Sequence, residues 1–168
     1  GIDYTSYAKS IIKDCENKGN VRASSNDYAY AGGITSSSDN QISDCSNSGI
    51  ISFNAVKFSY IGGIAGNGGS IMNSSNKGDI NCHNDYFDSK SSYIGGVAGN
   101  IQNCHNVGHI ATESNDVACG GVVGSCSNIS SCSNIGGIYC LSNNITLGGI
   151  VGLENGTLSN SYNHGDND

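Results

Sequence analysis

Residues 60–80 read YIGGIAGNGGSIMNSSNKGDI, and most of the remaining chain consists of copies of this stretch. Its two recurring parts are a Gly-Gly pair after Ile61 and an Asn-x-Gly turn that starts at Asn76. The turn occurs six times, at spacings of 30, 29, 30, 28 and 29 residues. Its asparagines are Asn17, Asn47, Asn76, Asn106, Asn134 and Asn163. A fixed period in this range indicates a repeat architecture with one structural unit per copy.

Apolar residues keep a constant place in each copy. An aliphatic residue stands five positions before each of these asparagines, and Ile or Val follows each of the five Gly-Gly pairs. Proline, which removes a backbone donor and breaks strands that pair on both sides, is absent. We therefore predict an all-β fold, a parallel β-helix or β-solenoid of about six coils with a period near 29 residues. Residues 1–168 form a single repeat domain, and the initial Gly1 predicts a fragment or processed part of a longer protein.

Charge excludes one class of partner. The net charge is −7, and all seven Lys and Arg residues lie at or before Lys90. Binding to a phosphate backbone requires a basic stripe, so nucleic acid is not an expected partner. No run approaches the ~20 apolar residues of a membrane span, so none is predicted.

The repeat resembles a known motif. Residues 62–67 and 71–80 together resemble the GLUG motif, residues 149–165 are similar again, and the resemblance covers nearly the whole chain. Such repeats occur in bacterial cell-surface and secreted proteins, including adhesin-like proteins and non-catalytic parts of immunoglobulin A metallopeptidases. The resemblance implies an extracellular or cell-surface stalk or adhesive module, with a glycan or protein of a host or neighbouring cell as partner. It supplies no catalytic residues, the metallopeptidase signature His-Glu-x-x-His is absent, and neither enzymatic activity nor a cofactor is expected.

The two punctuation marks predict a turn and a bend. Asparagine tolerates the left-handed conformation, so we expect the turn asparagines to adopt it and to hydrogen-bond along the stack as an Asn ladder. Ile61 and Ile64 have opposite strand parity. Either the Gly-Gly pair forms a corner and both face inward, or one aliphatic column lies outside; its recurrence favours the corner.

Four of the eight cysteines share one repeat position, which Ser74 and Ser161 fill in the other copies. These four are Cys15, Cys45, Cys104 and Cys132. The exchange with serine and the parallel Cβ directions of stacked residues predict a buried thiol column rather than disulfides. The other cysteines follow no column, and one pair of them is close enough in sequence for a local disulfide; the four are Cys82, Cys119, Cys126 and Cys140, and the pair is Cys119 with Cys140.

Metal and nucleophile sites are not expected. No Cys-x-x-Cys pair exists, which argues against zinc. Two Cys-His neighbours, Cys82-His83 and Cys104-His105, sit at different phases of the repeat, and adjacent strand residues point to opposite faces. We expect solvent-exposed histidines at all four positions, His83, His105, His109 and His164.

Two departures from the period are the candidate ligand-binding sites. The distance from Asn76 to Gly95 is 19 residues against 14 or 15 elsewhere, which places an insertion in residues 81–90. The insertion carries two aromatics and two carboxylates, Asp85, Tyr86, Phe87 and Asp88, and is either a binding loop or a surface decoration. The second departure is a tyrosine column, Tyr30, Tyr60 and Tyr93, which gives way to Ala118 and Thr146. If exposed, this column is a glycan- or protein-binding strip; if covered by loops, it is packing material.

Two further functions remain open. End-to-end stacking of uncapped coils predicts a self-assembling extracellular fibre subunit. A polysaccharide lyase or hydrolase on a β-helix requires converging carboxylates, for which Asp85, Asp88 and Asp116 are the available set.

Overall fold

The computed structural model describes residues 11–27, 29–55, 59–83, 92–95, 100–113 and 116–167. These residues form a β-solenoid of parallel stacked coils, which confirms the predicted fold class. Each coil contains four short strands, and each strand pairs with its counterpart about 29 residues further along the chain. Short strands and coil-to-coil pairing explain the strict period, because an insertion inside a strand would shift every later register.

The strands in chain order are β1 (Ile11–Lys13), β2 (Glu16–Asn17), β3 (Val21–Ser25), β4 (Ala29–Gly32), β5 (Thr35–Ser43), β6 (Ser46–Asn47), β7 (Ile51–Ala55), β8 (Ser59–Gly62), β9 (Ala65–Met72), β10 (Ser75–Asn76), β11 (Ile80–His83), β12 (Ser92–Gly95), β13 (Asn100–Gln102), β14 (His105–Asn106), β15 (Ile110–Glu113), β16 (Asp116–Gly120), β17 (Val123–Ser130), β18 (Ser133–Asn134), β19 (Ile138–Leu141), β20 (Asn144–Gly148), β21 (Val151–Ser159) and β22 (Tyr162–Asn163).

Four parallel sheets run along the solenoid. Sheet A contains β1, β5, β9, β13, β17 and β21, and sheet B contains β2, β6, β10, β14, β18 and β22. Sheet C contains β3, β7, β11, β15 and β19, and sheet D contains β4, β8, β12, β16 and β20. The number of coils differs slightly from the six predicted: five sets of four strands are followed by β21 and β22 alone.

Isoleucine fills the interior. Among the largest side chains that are fully buried, all are isoleucine except Val122. Each fully buried aliphatic side chain contributes roughly 1.5–3 kcal/mol relative to exposure. One apolar cluster lies inside sheet A, with residues such as Ile42 and Ile71, and a second lies between sheets C and D, with residues such as Ile51 and Ile61.

The Gly-Gly pair forms a corner, as predicted. Ile61 is 1% exposed and Ile64 is 0% exposed, so both point inward although their strand parity differs. They enter different clusters, Ile61 that of sheets C and D and Ile64 that of sheet A. The corner requires glycine because a Cβ on Gly33 would lie 2.4 Å from Cγ of Asn47 and 2.3 Å from the Gly63 carbonyl oxygen.

The asparagines of the six Asn-x-Gly turns form the predicted ladder. Each Nδ2 donates to Oδ1 of the asparagine in the next coil at 2.7 to 2.9 Å. Each Nδ2 also donates to the carbonyl of the glycine two residues later in its own turn, at 2.7 to 2.9 Å. The four inner members, Asn47, Asn76, Asn106 and Asn134, are 0% exposed. The ladder therefore supplies hydrogen bonds for polar groups that have no access to water.

The predicted left-handed conformation of these asparagines is wrong. They lie in the strands of sheet B, and the positive φ values belong to residues three positions earlier. Those residues are Asp14 (φ 54°), Asp44 (56°), Asn73 (49°), Asn103 (52°), Ser131 (55°) and Asn160 (48°). Asp, Asn and Ser suit this place because short polar side chains bond locally at a sharp turn. Asn103 Nδ2 also donates to Asn73 Oδ1 at 2.9 Å, a shorter second ladder on the exposed surface.

The thiol column is confirmed, and its chemistry explains the exchange with serine. Sγ of Cys132 donates to the Ser130 carbonyl at 3.2 Å, as Oγ of Ser74 does to Met72 at 2.8 Å. The backbone N–H of Cys104 in turn donates to Sγ of Cys132 at 3.4 Å. The position therefore requires a small side chain that both donates and accepts. All cysteines that the structure describes are free thiols, including the Cys119 and Cys140 pair.

The remaining cysteines do belong to columns, contrary to the prediction. Cys82 is in register with Phe53, Thr112 and, through Thr112, Cys140, and Cys119 is in register with Ile94. The interior sheet positions accept any small or apolar side chain, so the sequence pattern there is weaker than at the turns. Burial raises the pKa of Cys82 to about 12. Hydrogen bonding to Cys140 and burial raise the pKa of Cys119.

Candidate functional site

The tyrosine column lies on the outer face of sheet D. Tyr30, Tyr60 and Tyr93 are register partners in β4, β8 and β12. The next residues, Ile61 and Ile94, point into the core at 1% and 0% exposure. Strict alternation along these strands therefore directs every tyrosine outward.

The three rings are stacked. Ring centroids are 5.1 Å apart in both pairs, with interplanar angles of 13° for Tyr30 and Tyr60 and 18° for Tyr60 and Tyr93. These separations fall within the favourable range for aromatic pairs. Burial and the two neighbouring tyrosines raise the pKa of Tyr60, so all three phenols carry their protons at neutral pH. Tyr30 is 43% exposed and the other two are partly exposed, so the column presents a surface to solvent.

A polar groove runs beside the stack. Its volume is about 330 Å³, and Tyr60 and Tyr93 form one wall. The other wall comes from sheet A and carries amides and hydroxyls, including Asn67, Asn100 and Ser125. No charged side chain lines the groove among the residues that the structure describes. We refer to the stack and this concavity together as the tyrosine groove.

A second concavity begins where the column ends. Tyr93 pairs in register with Ala118, and Ala118 pairs with Thr146. A hollow of about 690 Å³ lies at this step, lined by Tyr93, Asp116, Ala118, Asn144, Thr146 and Leu153 among others. Nδ2 of Asn144 donates to Oδ1 of Asp116 at 2.7 Å. The sequence showed the loss of tyrosine at these positions but did not predict a hollow.

A third concavity lies on the outer face of sheet C. Its volume is about 510 Å³, and its lining includes Arg22, Asn81, His83, Glu113 and Tyr139. Nδ1 of His83 lies 2.8 Å from a Glu113 carboxylate oxygen, with each side chain about half exposed. Sequence reasoning missed this site, although the alternation of polar and apolar residues in these strands places its members on one face.

The insertion residues lie outside the described residues. Asp85, Tyr86, Phe87 and Asp88 fall there, so their candidacy as a binding loop stays a prediction. Asp116, the third carboxylate proposed for a lyase or hydrolase, belongs to the hollow beside Tyr93.

The Cys-His neighbours do not form nucleophile pairs. Cys82 is 4% exposed and Cys104 is 0% exposed, whereas His83 and His105 are exposed on the other side of the strand. All four histidines are exposed, as predicted. The hydrogen bond to Cys132, together with burial, raises the pKa of Cys104, which keeps that thiol protonated. Within the described ranges, no three His, Cys, Asp or Glu side chains are grouped closely enough to hold a metal ion.

Two findings bear on class and kinship. Over the part of the chain that the structure describes, no helix has the length and apolar character needed to cross a membrane. The chain matches no family model, no curated protein and no solved structure.

Proposed function

We propose that the chain is a GLUG-type structural module of a bacterial surface or secreted protein, which acts as a stalk and displays a glycan-binding face. The observation that carries this proposal is the stack of three tyrosines beside a groove of amides and hydroxyls. Repeated coils supply rigidity, because each coil contacts its neighbours through four sheets. A rigid rod with one aromatic strip suits adhesion to an extended partner.

The chemistry of the tyrosine groove favours a neutral polysaccharide. Stacked rings spaced 5.1 Å apart place their phenol groups in a row along the solenoid axis. Asn67 and Asn100 offer both donors and acceptors across the groove. A chain of sugar units lying along the axis meets apolar ring surface on one side and hydrogen-bonding groups on the other. The groove's described lining has no basic side chain, which disfavours an acidic polymer.

Glycan-array binding with the purified protein tests the proposal. We expect a neutral glycan to bind and Tyr60→Ala and Tyr93→Ala each to weaken binding roughly tenfold or more, as for a residue at the centre of an interface. Tyr139→Ala is the matched control, because Tyr139 is 50% exposed but lies on sheet C. A silent array, or binding that both groove variants leave unchanged, would contradict the proposal.

End-to-end self-association is a second candidate, favoured by the apolar surface of the last strands. Ile145 is 43% exposed, Leu153 is 40% exposed and Leu158 is 46% exposed. Among the described strands, β19, β20, β21 and β22 have a neighbouring coil on one side only. A second copy seated on these strands would extend four ladders and cover the apolar residues.

Light scattering over a concentration series tests self-association. We expect mass to grow with concentration and Leu158→Asp to suppress that growth. Asn81→Asp on the outside of sheet C adds the same charge away from the last coil and serves as the control. A monomer at every concentration would exclude this candidate.

Catalysis is not part of the proposed function. The polysaccharide lyase or hydrolase remains the alternative enzyme, with Asp85, Asp88 and Asp116 as its carboxylates. Turnover assays across the same glycan panel separate the two functions, since the proposed module binds without cleavage. Cleavage that is lost in Asp85→Asn with Asp88→Asn would establish the enzyme instead.

A further inference from the structure

The tyrosine stack ends while the sheet that carries it continues. Tyr93 in β12 pairs with Ala118 in β16, and Ala118 pairs with Thr146 in β20, in unbroken register. Tyr93 contacts Tyr60 through one face of its ring. Its other face is directed along the axis toward Ala118, where the hollow of about 690 Å³ lies.

The hollow has the dimensions and place of a missing ring. Successive rings in the stack are 5.1 Å apart, and the strands beneath keep their pairing through Ala118. A fourth ring at the same spacing would therefore lie over the Ala118 methyl group and against Tyr93. A volume of about 690 Å³ also falls within the ~300–1,000 Å³ of small-molecule sites.

The walls of the hollow select the chemistry of that ring. Asp116 and Asn144, joined by a 2.7 Å hydrogen bond, stand on one side, and Thr146 adds a hydroxyl. Leu153 and Ile145 supply apolar surface. A phenyl ring would leave these polar groups facing an apolar edge, which costs free energy. A sugar ring has an apolar face for Tyr93 and hydroxyls at its edge for the carboxylate and amide oxygens. An acidic sugar would meet the Asp116 charge with no basic residue in the described lining.

We propose that the hollow beside Tyr93 binds one neutral hexopyranose ring, which stacks on Tyr93 in place of a fourth tyrosine. Asp116 accepts hydrogen bonds from ring hydroxyls, and Asn144 holds Asp116 in position. This inference rests on the proposed function and makes it more specific: the hollow holds the terminal unit of a glycan whose remaining units follow the tyrosine groove.

Completing the stack tests the site directly. Ala118→Tyr places a tyrosine in the ring position, and Asp116→Ala removes the acceptor without filling the hollow. Ala111→Tyr, in β15 on sheet C, is the matched control for the added ring. The probes are methyl β-D-glucopyranoside, methyl β-D-galactopyranoside and methyl α-D-mannopyranoside, with binding followed by saturation-transfer difference NMR. Circular dichroism confirms that each variant is folded.

The expected result is that at least one methyl hexopyranoside binds, with ring protons shifted by Tyr93. Ala118→Tyr and Asp116→Ala should each weaken binding roughly tenfold or more, whereas Ala111→Tyr should not. Binding that Tyr60→Ala abolishes but Ala118→Tyr and Asp116→Ala leave unchanged would overturn the ring site and leave the proposed function standing. No binding of any sugar or array glycan to the unmodified protein would overturn both. If Ala118→Tyr does not fold, Asp116→Ala decides the question alone.

Discussion

The asparagine ladder and the tyrosine stack are both columns with one residue per coil, yet they differ in what the fold requires of them. Each inner asparagine is 0% exposed and bonds to its own turn and to the adjacent coils. Each tyrosine lies on the outer surface and contacts its neighbours only through ring stacking among the contacts that the structure describes. Repetition alone therefore does not distinguish a structural residue from a functional one.

The chain itself contains the relevant substitution experiment. Tyrosine is replaced by Ala118 and Thr146 in the fourth and fifth coils, and the strands pair through both positions without a shift. The ladder has no comparable exception among its six members. A position that tolerates replacement without structural consequence can be used for binding, whereas the ladder is fixed by the needs of buried polar groups.

Removing one inner ladder member should have the largest effect. Asn106→Ala deprives Asn76 Nδ2 of its acceptor, and Asn134 Oδ1 and the Gly108 carbonyl of their donor. At ~1–3 kcal/mol for each unsatisfied buried group, the free energy of unfolding should fall by roughly 3–6 kcal/mol. Urea denaturation followed by circular dichroism measures this loss.

Asn81→Ala is the matched control for the ladder, because Asn81 is an exposed asparagine on the outside of β11. Its effect should stay within about 0.5 kcal/mol, as for most surface substitutions. Equal losses for the two variants would show that the ladder has no special role.

The contact between corner and ladder should be nearly as sensitive. A Cβ on Gly121 would lie 2.3 Å from Cγ of Asn134 and 2.3 Å from the Gly149 carbonyl oxygen. Relief requires movement of backbone in two coils, so Gly121→Ala should cost about 3 kcal/mol, the upper part of the usual range for overpacking. Thermal denaturation measures the change. Gly19→Ala is the control, since its nearest neighbour would be Asn17 Oδ1 at 3.7 Å; a similar loss there would contradict this explanation.

The scaffold was predictable because its residues solve the same physical problem in every coil. The period, the corner and the ladder each follow from residues that recur at fixed spacing, such as Asn76 and the Gly62-Gly63 pair. The left-handed residue was misplaced because Asp14, Asn73 and Ser131 differ in identity and show no single-residue column. The sequence provides the chemistry of that position only when Asp, Asn and Ser are treated as equivalent.

The binding surface was predictable in part. The tyrosine column could be recognised from three identical residues, but its partners Asn67 and Ser125 are not repeated and became visible only when sheet A was placed beside sheet D. The hollow below Tyr93 is defined by small residues, and the small size of Ala118 has meaning only next to the stack. Concave surfaces formed between sheets depend on non-local contacts that a period does not encode.

The thiol column should show an intermediate effect that depends on hydrogen bonding rather than size. Cys132→Ala removes the donor to the Ser130 carbonyl and the acceptor for the Cys104 N–H, and should cost about 1–3 kcal/mol. Cys132→Ser keeps both bonds, as Ser74 does in the third coil, and should cost less than about 1 kcal/mol. Urea denaturation of the two variants compares them. Equal losses would show that the column requires only volume.

The tyrosine stack should show the smallest effect on stability. Tyr60→Ala removes two stacked pairs and Tyr30→Ala removes one, at ~0.5–1.5 kcal/mol for each pair before discounting for exposure. We expect losses of about 1 kcal/mol and about 0.5 kcal/mol, and no measurable loss for Tyr60→Phe, since ring stacking does not need the hydroxyl. Thermal denaturation of the three variants measures these values. A loss for Tyr60→Ala as large as that for Asn106→Ala would place the stack among the structural columns, and a column on which folding depends is poorly suited to vary with its ligand.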